Sequence, residues 1–508
     1  MFKKVLIANR GEIAVRVIRA CREIGIKTVA VYSEIDRESR HVRWADEAYL
    51  VGPAPAKESY LVADKIIEVA KRSGADAIHP GYGFLSENAD FSDLCAKNNI
   101  KFIGPRGDSM RMLGDKVAAR RVAAKVKVPT VPGMTDPLDS VDQAKQLGGQ
   151  FGYPVLLKAR SGGGGKGMRK VERVEEMESA YQMASSEARS SFNDDALYME
   201  KYVVGPHHVE VQILGDEAGN VIAIGERECS VQRRHQKIIE ESPSPFITEA
   251  TRKKLLEAAV ILAKEAKYVN AGTMEFLVDK NQDYYFLEMN ARLQVEHPVT
   301  EQVSGIDLVR AQLRIAAGES LDVIVGAPLA APPQNRGHAI ECRIYAEDPD
   351  QGFIPSPGKI ERVREPSGPW VRVDSAVYPR AEISVYYDPM IAKLITWGPT
   401  REEAILRMER ALREYQIVGV KTNLWFHEAV LAHSEFRQGK YDTGFVERNL
   451  EVLKRLGHEG HAGIAAIAAL FFQLQEAKVA SPRGPEGSST NSNASSWKLA
   501  GRREGMRS

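Results

Sequence analysis

The chain has 508 residues, enough for about three domains of roughly 150 residues each, and its charge is nearly balanced, with 69 Lys and Arg against 68 Asp and Glu. Such a balance gives no global pull toward nucleic acid or an anionic membrane surface, so any basic site has to be local. Cys21, Cys95, Cys229 and Cys342 lie far apart with no Cys-x-x-Cys spacing, which argues against a disulfide framework or a zinc site and fits a reducing cytoplasm.

Residues 1 to about 115 alternate short apolar runs with helical patterns, the rhythm of a parallel sheet with crossover helices. The strand candidates are Val5-Leu6-Ile7-Ala8, ahead of which no export signal is expected, Thr28-Val29-Ala30-Val31, Ala77-Ile78 and Phe102-Ile103. Between the first two, Ile13, Val17, Ile18 and Cys21 follow helical spacing and Gly25 marks the stop. The turn Ala8-Asn9-Arg10-Gly11-Glu12-Ile13 has one glycine where the dinucleotide fingerprint needs three, which argues against NAD. Residues 79–88 form a glycine-punctuated loop at the carboxyl end of a strand, where open α/β sheets bind ligands; a plain tight turn fits as well.

Pro129, Pro132 and Gly133 mark the next boundary, and Tyr153-Pro154-Val155-Leu156-Leu157-Lys158 reads as a strand whose closing ammonium points at the next segment. That segment is Arg160-Ser161-Gly162-Gly163-Gly164-Gly165-Lys166-Gly167-Met168. Four successive glycines cost folding entropy, and the usual return is close approach of backbone N–H groups to an anion. The loop is not a Walker A motif, because Gly167 stands where Ser or Thr would hold a metal. Set between two strand patterns, it reads as a phosphate-covering hairpin, with a flexible linker as the alternative.

Leu197-Tyr198-Met199-Glu200-Lys201-Tyr202-Val203 is a further strand, with a backbone edge available to an adenine. His208-Val209-Glu210-Val211-Gln212-Ile213 alternates strictly and puts His208, Glu210 and Gln212 on one face, either a polar sheet face or a phosphate contact. Arg233, Arg234, His235 and Lys237 suggest a small-anion site or a solvated face, and residues 251–267 an amphipathic helix.

Gly272-Thr273-Met274-Glu275-Phe276-Leu277-Val278 and Tyr284-Tyr285-Phe286-Leu287 flank a polar turn and read as a hairpin. In the symmetric register Glu275 faces Glu288, with Asn290 on the same face as Glu288. Opposed carboxylates repel unless a divalent cation sits between them; alternatively the loop slips the register by one residue and separates them. Pro298 opens a helix that stops at Ser304-Gly305, and Asp307 caps another running to Ala317. Residues 327–336, rich in Pro and Ala, suggest a surface loop. In the strand at 339–345 Arg343 has opposite parity to Ile340 and Ile344, the pattern of a surface arginine. Tyr386-Tyr387-Asp388-Pro389-Met390-Ile391 turns into an apolar strand, and Thr400-Arg401-Glu402-Glu403 is a capping box. Beyond about residue 456 the longest apolar stretch, 462–472, is too short to span a membrane, and an apolar helix at 464–475 gives way to a Ser- and Asn-rich stretch, 484–496, expected to be disordered.

Together, Ala8-Asn9-Arg10-Gly11-Glu12-Ile13-Ala14 and the stretches 79–88, 162–168, 232–237 and 288–298 resemble the biotin carboxylase family of the ATP-grasp superfamily, over residues 1 to about 450. The resemblance implies an α/β and α+β chain: a Rossmann-like parallel-sheet domain (1–115), an ATP-grasp lid with its linker (116–203), an ATP-grasp core (204–330), a mixed C-terminal domain (331–450) and a partly disordered tail (451–508). It implies that MgATP phosphorylates bicarbonate to carboxyphosphate and that biotin on a carrier protein is then carboxylated.

By motif match, Lys116, Lys158, His208, Gln232, His235 and Leu277 would contact ATP, Gly164 and Gly165 would cover its phosphates, and Glu200, Lys201, Tyr202 and Val203 would meet the adenine. Glu275, Glu288 and Asn290 would hold Mg2+ (or Mn2+), the two carboxylates also bordering ATP. Lys237, Arg292, Gln294 and Val295 would bind bicarbonate, Glu296 would be its general base, and Arg343 would stabilise the enolate-like biotin. The resemblance further implies a homodimer in the cytoplasm, with carboxyltransferase subunits as separate chains and no nucleic acid or membrane partner. Arg160 departs from the family's small residue. Tyr345 and Tyr387-Asp388-Pro389-Met390 look closer to propionyl-CoA, methylcrotonyl-CoA or pyruvate carboxylase subunits. With no Met-Lys-Met or Met-Lys-Leu site in the sequence, the biotin carboxyl carrier protein is expected on another chain, with the tail as a docking element. The competing expectations are an ATP-grasp carboxylate–amine ligase, which has no use for Arg343, and a nucleotide-binding scaffold without turnover.

Overall fold

In the computed structural model, which describes residues 1–114, 116–134, 136–159, 168–192, 195–326 and 336–458, the run Val5-Leu6-Ile7 is buried at the centre of a parallel sheet. This strand, β1 (Lys4–Ile7), pairs with β2 (Lys27–Ser33) and β4 (Ala77–His79); β3 (Glu47–Gly52) and β5 (Lys101–Phe102) complete the order β3-β2-β1-β4-β5. Helix α1 (Gly11–Glu23) buries Ile13, Val17, Ile18 and Cys21 as their spacing requires, and Gly25 turns the chain at φ +75°. β3 lacks the apolar run of the inner strands because it is an edge strand, with Leu50 exposed.

The lid is an antiparallel sheet of β6 (Val155–Ala159), β7 (Met168–Val171) and β8 (Leu197–Lys201), ordered β7-β6-β8. Helices Val141–Phe151 and Met177–Phe192 cover it, and its core is built from Leu157, Val171, Ala184 and Met199. The edge of β8 expected to be free is taken up as far as Lys201, with Tyr202 and Val203 following beyond it. Met134 N–H donates to Met199 O at 3.0 Å, Leu138 N–H to Leu197 O at 2.7 Å and Lys201 N–H to Pro132 O at 2.7 Å, so the incoming linker fills it. Arg160, Gly164, Gly165 and the rest of the glycine loop, most of the Pro- and Ala-rich loop, and the tail expectations at 464–475 and 484–496 lie outside the described residues.

The largest sheet contains β9 (His207–Gly215), β10 (Val221–Arg233), β11 (Gln236–Ser242), β12 (Asn270–Val278), β13 (Tyr284–Asn290) and β14 (His338–Tyr345). Its order is β13-β12-β9-β10-β11-β14, followed by strands Met390–Gly398 and Val371–Ser375. One continuous sheet therefore joins the strands of residues 207–290 to those of the C-terminal region through the β11–β14 pair. Helix Glu249–Glu265 packs on β9 and β10, and helix His297–Ser304 on β10, β11, β14 and the strand Met390–Gly398. Sandwiched in this way, every residue of β9 and β14 is buried. Among the described residues no helix is long and apolar enough to cross a membrane, and the cysteines are buried and unpaired.

Candidate active site

The alternation of β9 delivers His208, Glu210 and Gln212 to one buried face, and the antiparallel register sets Arg227 of β10 opposite Glu210. Arg227 is fully buried. It donates Nε to Glu210 Oε1 at 2.5 Å, Nη1 to Gln212 Oε1 at 2.8 Å and to Thr300 Oγ1 at 2.9 Å, and Nη2 to Thr273 Oγ1 at 3.0 Å. The second oxygen of Glu210 takes the Lys237 ammonium at 2.5 Å, which also reaches Glu275 Oε1 at 2.8 Å and Glu296 Oε1 at 2.7 Å. Glu296 Oε2 accepts from Arg343 Nη2 at 2.9 Å, and Arg343 Nε donates to Glu240 Oε1 at 2.6 Å. The row Arg227, Glu210, Lys237, Glu296, Arg343, Glu240 thus alternates in sign, the arrangement that lets buried charges survive desolvation.

The electrostatics follow from these contacts. Burial alone would lift Glu296, but Lys237, Arg343 and Arg227 hold its carboxyl well below the usual carboxylate range. Glu275 behaves alike: against its burial, Lys237 and His208 hold it low. Burial also works against the Lys237 ammonium, and Glu210, Glu275 and Glu296 hold it far above the usual lysine range. Glu240 goes the other way, pushed up to about 7 by burial despite Arg343.

The β12–β13 hairpin resolves the question its sequence left open. Next to the turn Val278 pairs with Tyr284 and Phe276 with Phe286, the register symmetric about the five-residue turn, which by itself sets Glu275 opposite Leu287 and not opposite Glu288 as expected from the sequence. A bulge at Leu287 then shifts the pairing by one residue, so that Glu275 faces Glu288 with Asn290 opposite Thr273. His208 Nε2 stands 3.3 Å from Glu275 Oε2, and ligand atoms of His208, Glu210 and Glu275 lie within 4.8 Å of one another. Opposed carboxylates beside a further carboxylate offer the hard oxygen donors a divalent cation requires, with an imidazole nitrogen at their side and Asn290 two residues along the strand.

Facing this cluster from the lid, Lys158 pairs with Glu200, whose other oxygen takes Arg120 at 2.6 Å. The β10–β11 turn consists of Arg234 and His235, both at positive φ (49° and 66°), an uncommon conformation for such side chains. It holds His235 exposed; partial burial, then the charges of His208 and Lys158, push its imidazole below the ordinary value. Gln232 is buried on β10, and Leu277 is the ladder partner of His208. Lys201 donates instead to Phe151 O at 2.8 Å, and Lys170 lies over the Tyr202 ring at 4.5 Å, with Val203 following. Lys116 opens the helix Lys116–Lys125.

Arg292 is held by the glycine-punctuated loop. Glu87 accepts Arg292 Nε at 2.8 Å on one oxygen and the Ala291 N–H at 3.0 Å on the other, while Arg292 Nη2 reaches Asn290 Oδ1 at 3.3 Å. The loop itself is pinned by Asn9, whose Nδ2 donates to Pro80 O at 2.7 Å and Tyr82 O at 2.8 Å. Gly81 sits there at φ +64°, and a Cβ on it would meet Asn9 Nδ2 at 2.9 Å. Gln294 Nε2 is buried with no protein acceptor among the described residues, as suits a donor reserved for a ligand. Val295 is next in the chain, and Glu296 is the N-cap of helix His297–Ser304.

The sequence expectation of a surface Arg343 is overturned: its residue is 7% exposed. Parity separates inside from outside only where one face of a strand meets water, and β14 is buried on both. Glu87, Arg227 and Glu240 are hidden in the sequence for a related reason. No local pattern marks Arg227 or Glu240, because each finds its partner on another strand, Arg227 in Glu210 and Glu240 in Arg343.

Comparison with known proteins bears on the whole constellation. Residues 1–110 match the biotin carboxylase N-terminal domain, residues 115–324 the carbamoyl-phosphate synthase L chain ATP-binding domain, and residues 341–448 the biotin carboxylase C-terminal domain. The chain is 52% identical to biotin carboxylase of Halalkalibacterium halodurans over 452 residues, covering 89% of this chain and 99% of that one. It is 51% identical to a pyruvate carboxylase subunit of Methanothermobacter thermautotrophicus, covering 88% and 90%. Among solved structures, the biotin carboxylase domain dimer of Hydrogenobacter thermophilus 2-oxoglutarate carboxylase, in complex with MgADP, ADP and bicarbonate, superposes with a TM-score of 0.83 at 48% identity, covering 89% and 99%. Biotin carboxylase of Campylobacter jejuni superposes with a TM-score of 0.84 at 48% identity, covering 88% and 99%.

Proposed function

The chain belongs to the biotin carboxylase family, and from that premise we propose how its own residues divide the ATP-dependent carboxylation of biotin by bicarbonate. The carboxylate–amine ligase alternative is not favoured, because relatives at about this level of identity are biotin carboxylases throughout most of their length. Lys116, Lys158, His208, Gln232, His235 and Leu277 bind ATP, with Gly164 and Gly165 over the phosphates and Glu200, Lys201, Tyr202 and Val203 along the adenine. Glu275, Glu288 and Asn290 hold a divalent cation, which supplies charge neutralisation at the phosphate oxygens. Lys237, Arg292, Gln294 and the Val295 backbone orient bicarbonate so that its oxygen attacks the γ-phosphorus, and Glu296 takes the bicarbonate proton.

The observation that carries this division is the position of Glu296 between two cations, Lys237 at 2.7 Å and Arg343 at 2.9 Å. A base must be ionised to accept a proton, and this pairing keeps Glu296 ionised throughout the working range. Arg343 links the two half-steps, since the guanidinium that fixes the base also offers donors to the enolate-like oxygen of biotin once carboxyphosphate has yielded carbon dioxide. Biotin arrives on a carrier protein that is a separate chain, the product passes to carboxyltransferase subunits, and the enzyme works as a cytoplasmic homodimer. Support for partner subunits comes from the Methanothermobacter relative, itself one subunit of a pyruvate carboxylase, and for the dimer from the Hydrogenobacter domain dimer.

The test is Arg343→Ala assayed for ADP release with and without free biotin. The expected outcome is bicarbonate-dependent ADP release that biotin no longer accelerates. Unchanged acceleration by biotin would refute the role of Arg343.

A further inference from the structure

The strand Met390–Gly398 carries, in the middle of an apolar run, a lysine with no exposed surface. Lys393 donates to the Val295 carbonyl at 3.0 Å; Glu12 Oε2 at 3.3 Å, Asp374 Oδ2 at 3.8 Å and the Tyr82 ring, 5.7 Å to the centroid, stand around it, and its charge also acts on the buried Glu341. Asp374 is already committed to Arg372, which grips it at 2.9 and 2.7 Å. The shortest contact of the ammonium is thus the neutral carbonyl rather than either carboxylate. A lysine that only balanced charge would have no need of it.

We propose that Lys393 is a positioning residue for the bicarbonate step: by fixing the Val295 carbonyl it sets the peptide plane from which the Glu296 base and the Gln294–Val295 backbone take their places. This rests on the assignment of those residues given above. In a planar trans peptide the Val295 carbonyl and the Glu296 N–H point in opposite directions, so holding one orients the other. Glu296 is also the N-cap of helix His297–Ser304, and a turn of this plane would swing its side chain out of the gap between Lys237 and Arg343. Glu12 comes from α1, Val295 from the loop after β13 and Lys393 from the C-terminal region, so the ammonium ties the bicarbonate segment to elements that take no direct part in ATP binding.

The experiment compares the full chain with Lys393→Met, which keeps the stem and removes the donors, and with the Glu12→Gln/Lys393→Met double variant, which removes the carboxylate that Lys393 leaves behind. ADP release is measured against bicarbonate and against ATP, with melting temperature alongside. Loss of a charged hydrogen bond that orients a substrate contact should raise KM for bicarbonate by roughly tenfold or more, with KM for ATP within about twofold of wild type. The double variant should melt near the wild-type temperature and keep the bicarbonate defect. If it restores the bicarbonate KM, or itself fails to fold, Lys393 is a structural counter-charge and the inference is overturned. Equal shifts in both KM values, or none in either, overturn it as well. Wild-type ADP release indifferent to bicarbonate would instead bring down the site assignment together with the inference.

Discussion

Replacing Lys237 by Met examines the ion network most sharply. In the wild type its ammonium lies 2.5 to 2.8 Å from Glu210, Glu275 and Glu296, each buried. At an effective dielectric of about 20 each contact represents roughly 6 kcal/mol of attraction, largely offset by desolvation. Removing one partner of such a group while its carboxylates stay buried costs about 3–5 kcal/mol. The pH dependence supplies a second signature. Glu275 and Glu296 are held below their unfolded values, so in the wild type their contribution is complete above the ordinary carboxylate range, near pH 4.3, and is lost only as the pH falls through their depressed folded values. Without the ammonium Glu275 keeps only His208 against its burial and rises above its unfolded value, while Glu296 still has Arg343 and Arg227. The stability contribution of Glu275 is then present at low pH and lost as the pH rises. Denaturation by urea at pH 7.5 and 5.5, followed by far-UV circular dichroism, should show a large loss at pH 7.5 that shrinks at pH 5.5. A loss below about 1 kcal/mol at pH 7.5, or the same pH slope as the wild type, would refute the reasoning.

Two further outcomes are expected. Asp36, buried, accepts both Arg10 Nε and Nη2 at 2.7 Å and the Tyr60 hydroxyl at 2.6 Å; burial pushes its carboxyl up, but Arg10 pulls it down to about 2. Its stabilisation is therefore full above pH of about 4 and fades as the pH falls toward 2, so Asp36→Asn should cost about 3–5 kcal/mol at pH 7, with the gap to wild type closing in acid denaturation curves. Glu275→Gln removes one of the opposed carboxylates, and a magnesium titration of ADP release should show the half-maximal concentration raised by about tenfold or more; an unchanged titration would remove Glu275 from the metal site.

How far the sequence leads can be judged element by element. The inner strands of the parallel sheet, α1 with its Gly25 stop, and the Thr400 cap were legible because apolar spacing and capping chemistry are local, and Thr400 does accept from the Glu403 N–H. Edge strand β3 was not, since a half-exposed strand shows little apolar pattern. The hairpin was legible in its pairing but not in its mechanism: the register symmetric about the five-residue turn would oppose Glu275 to Leu287, and only the bulge at Leu287 brings it to Glu288. The least legible features were the charges within strands buried on both faces. Arg343 and Lys393 fall in segments where polar parity normally marks a solvent face, and only the packing of helix His297–Ser304 against those strands turns that face inward. Their partners come from residues tens to hundreds of positions away, as Glu12 does for Lys393.

The most direct measurement is the transfer of label from bicarbonate to free biotin by the full chain in the presence of ATP and Mg2+, with Glu296→Gln run in parallel. The expected result is labelled carboxybiotin from the wild type, released ADP that depends on bicarbonate, and a rate lower by about 10²- to 10⁴-fold in the variant. Wild-type ATP turnover that ignores bicarbonate and leaves biotin unlabelled, or a Glu296→Gln variant as fast as the wild type, would contradict the account.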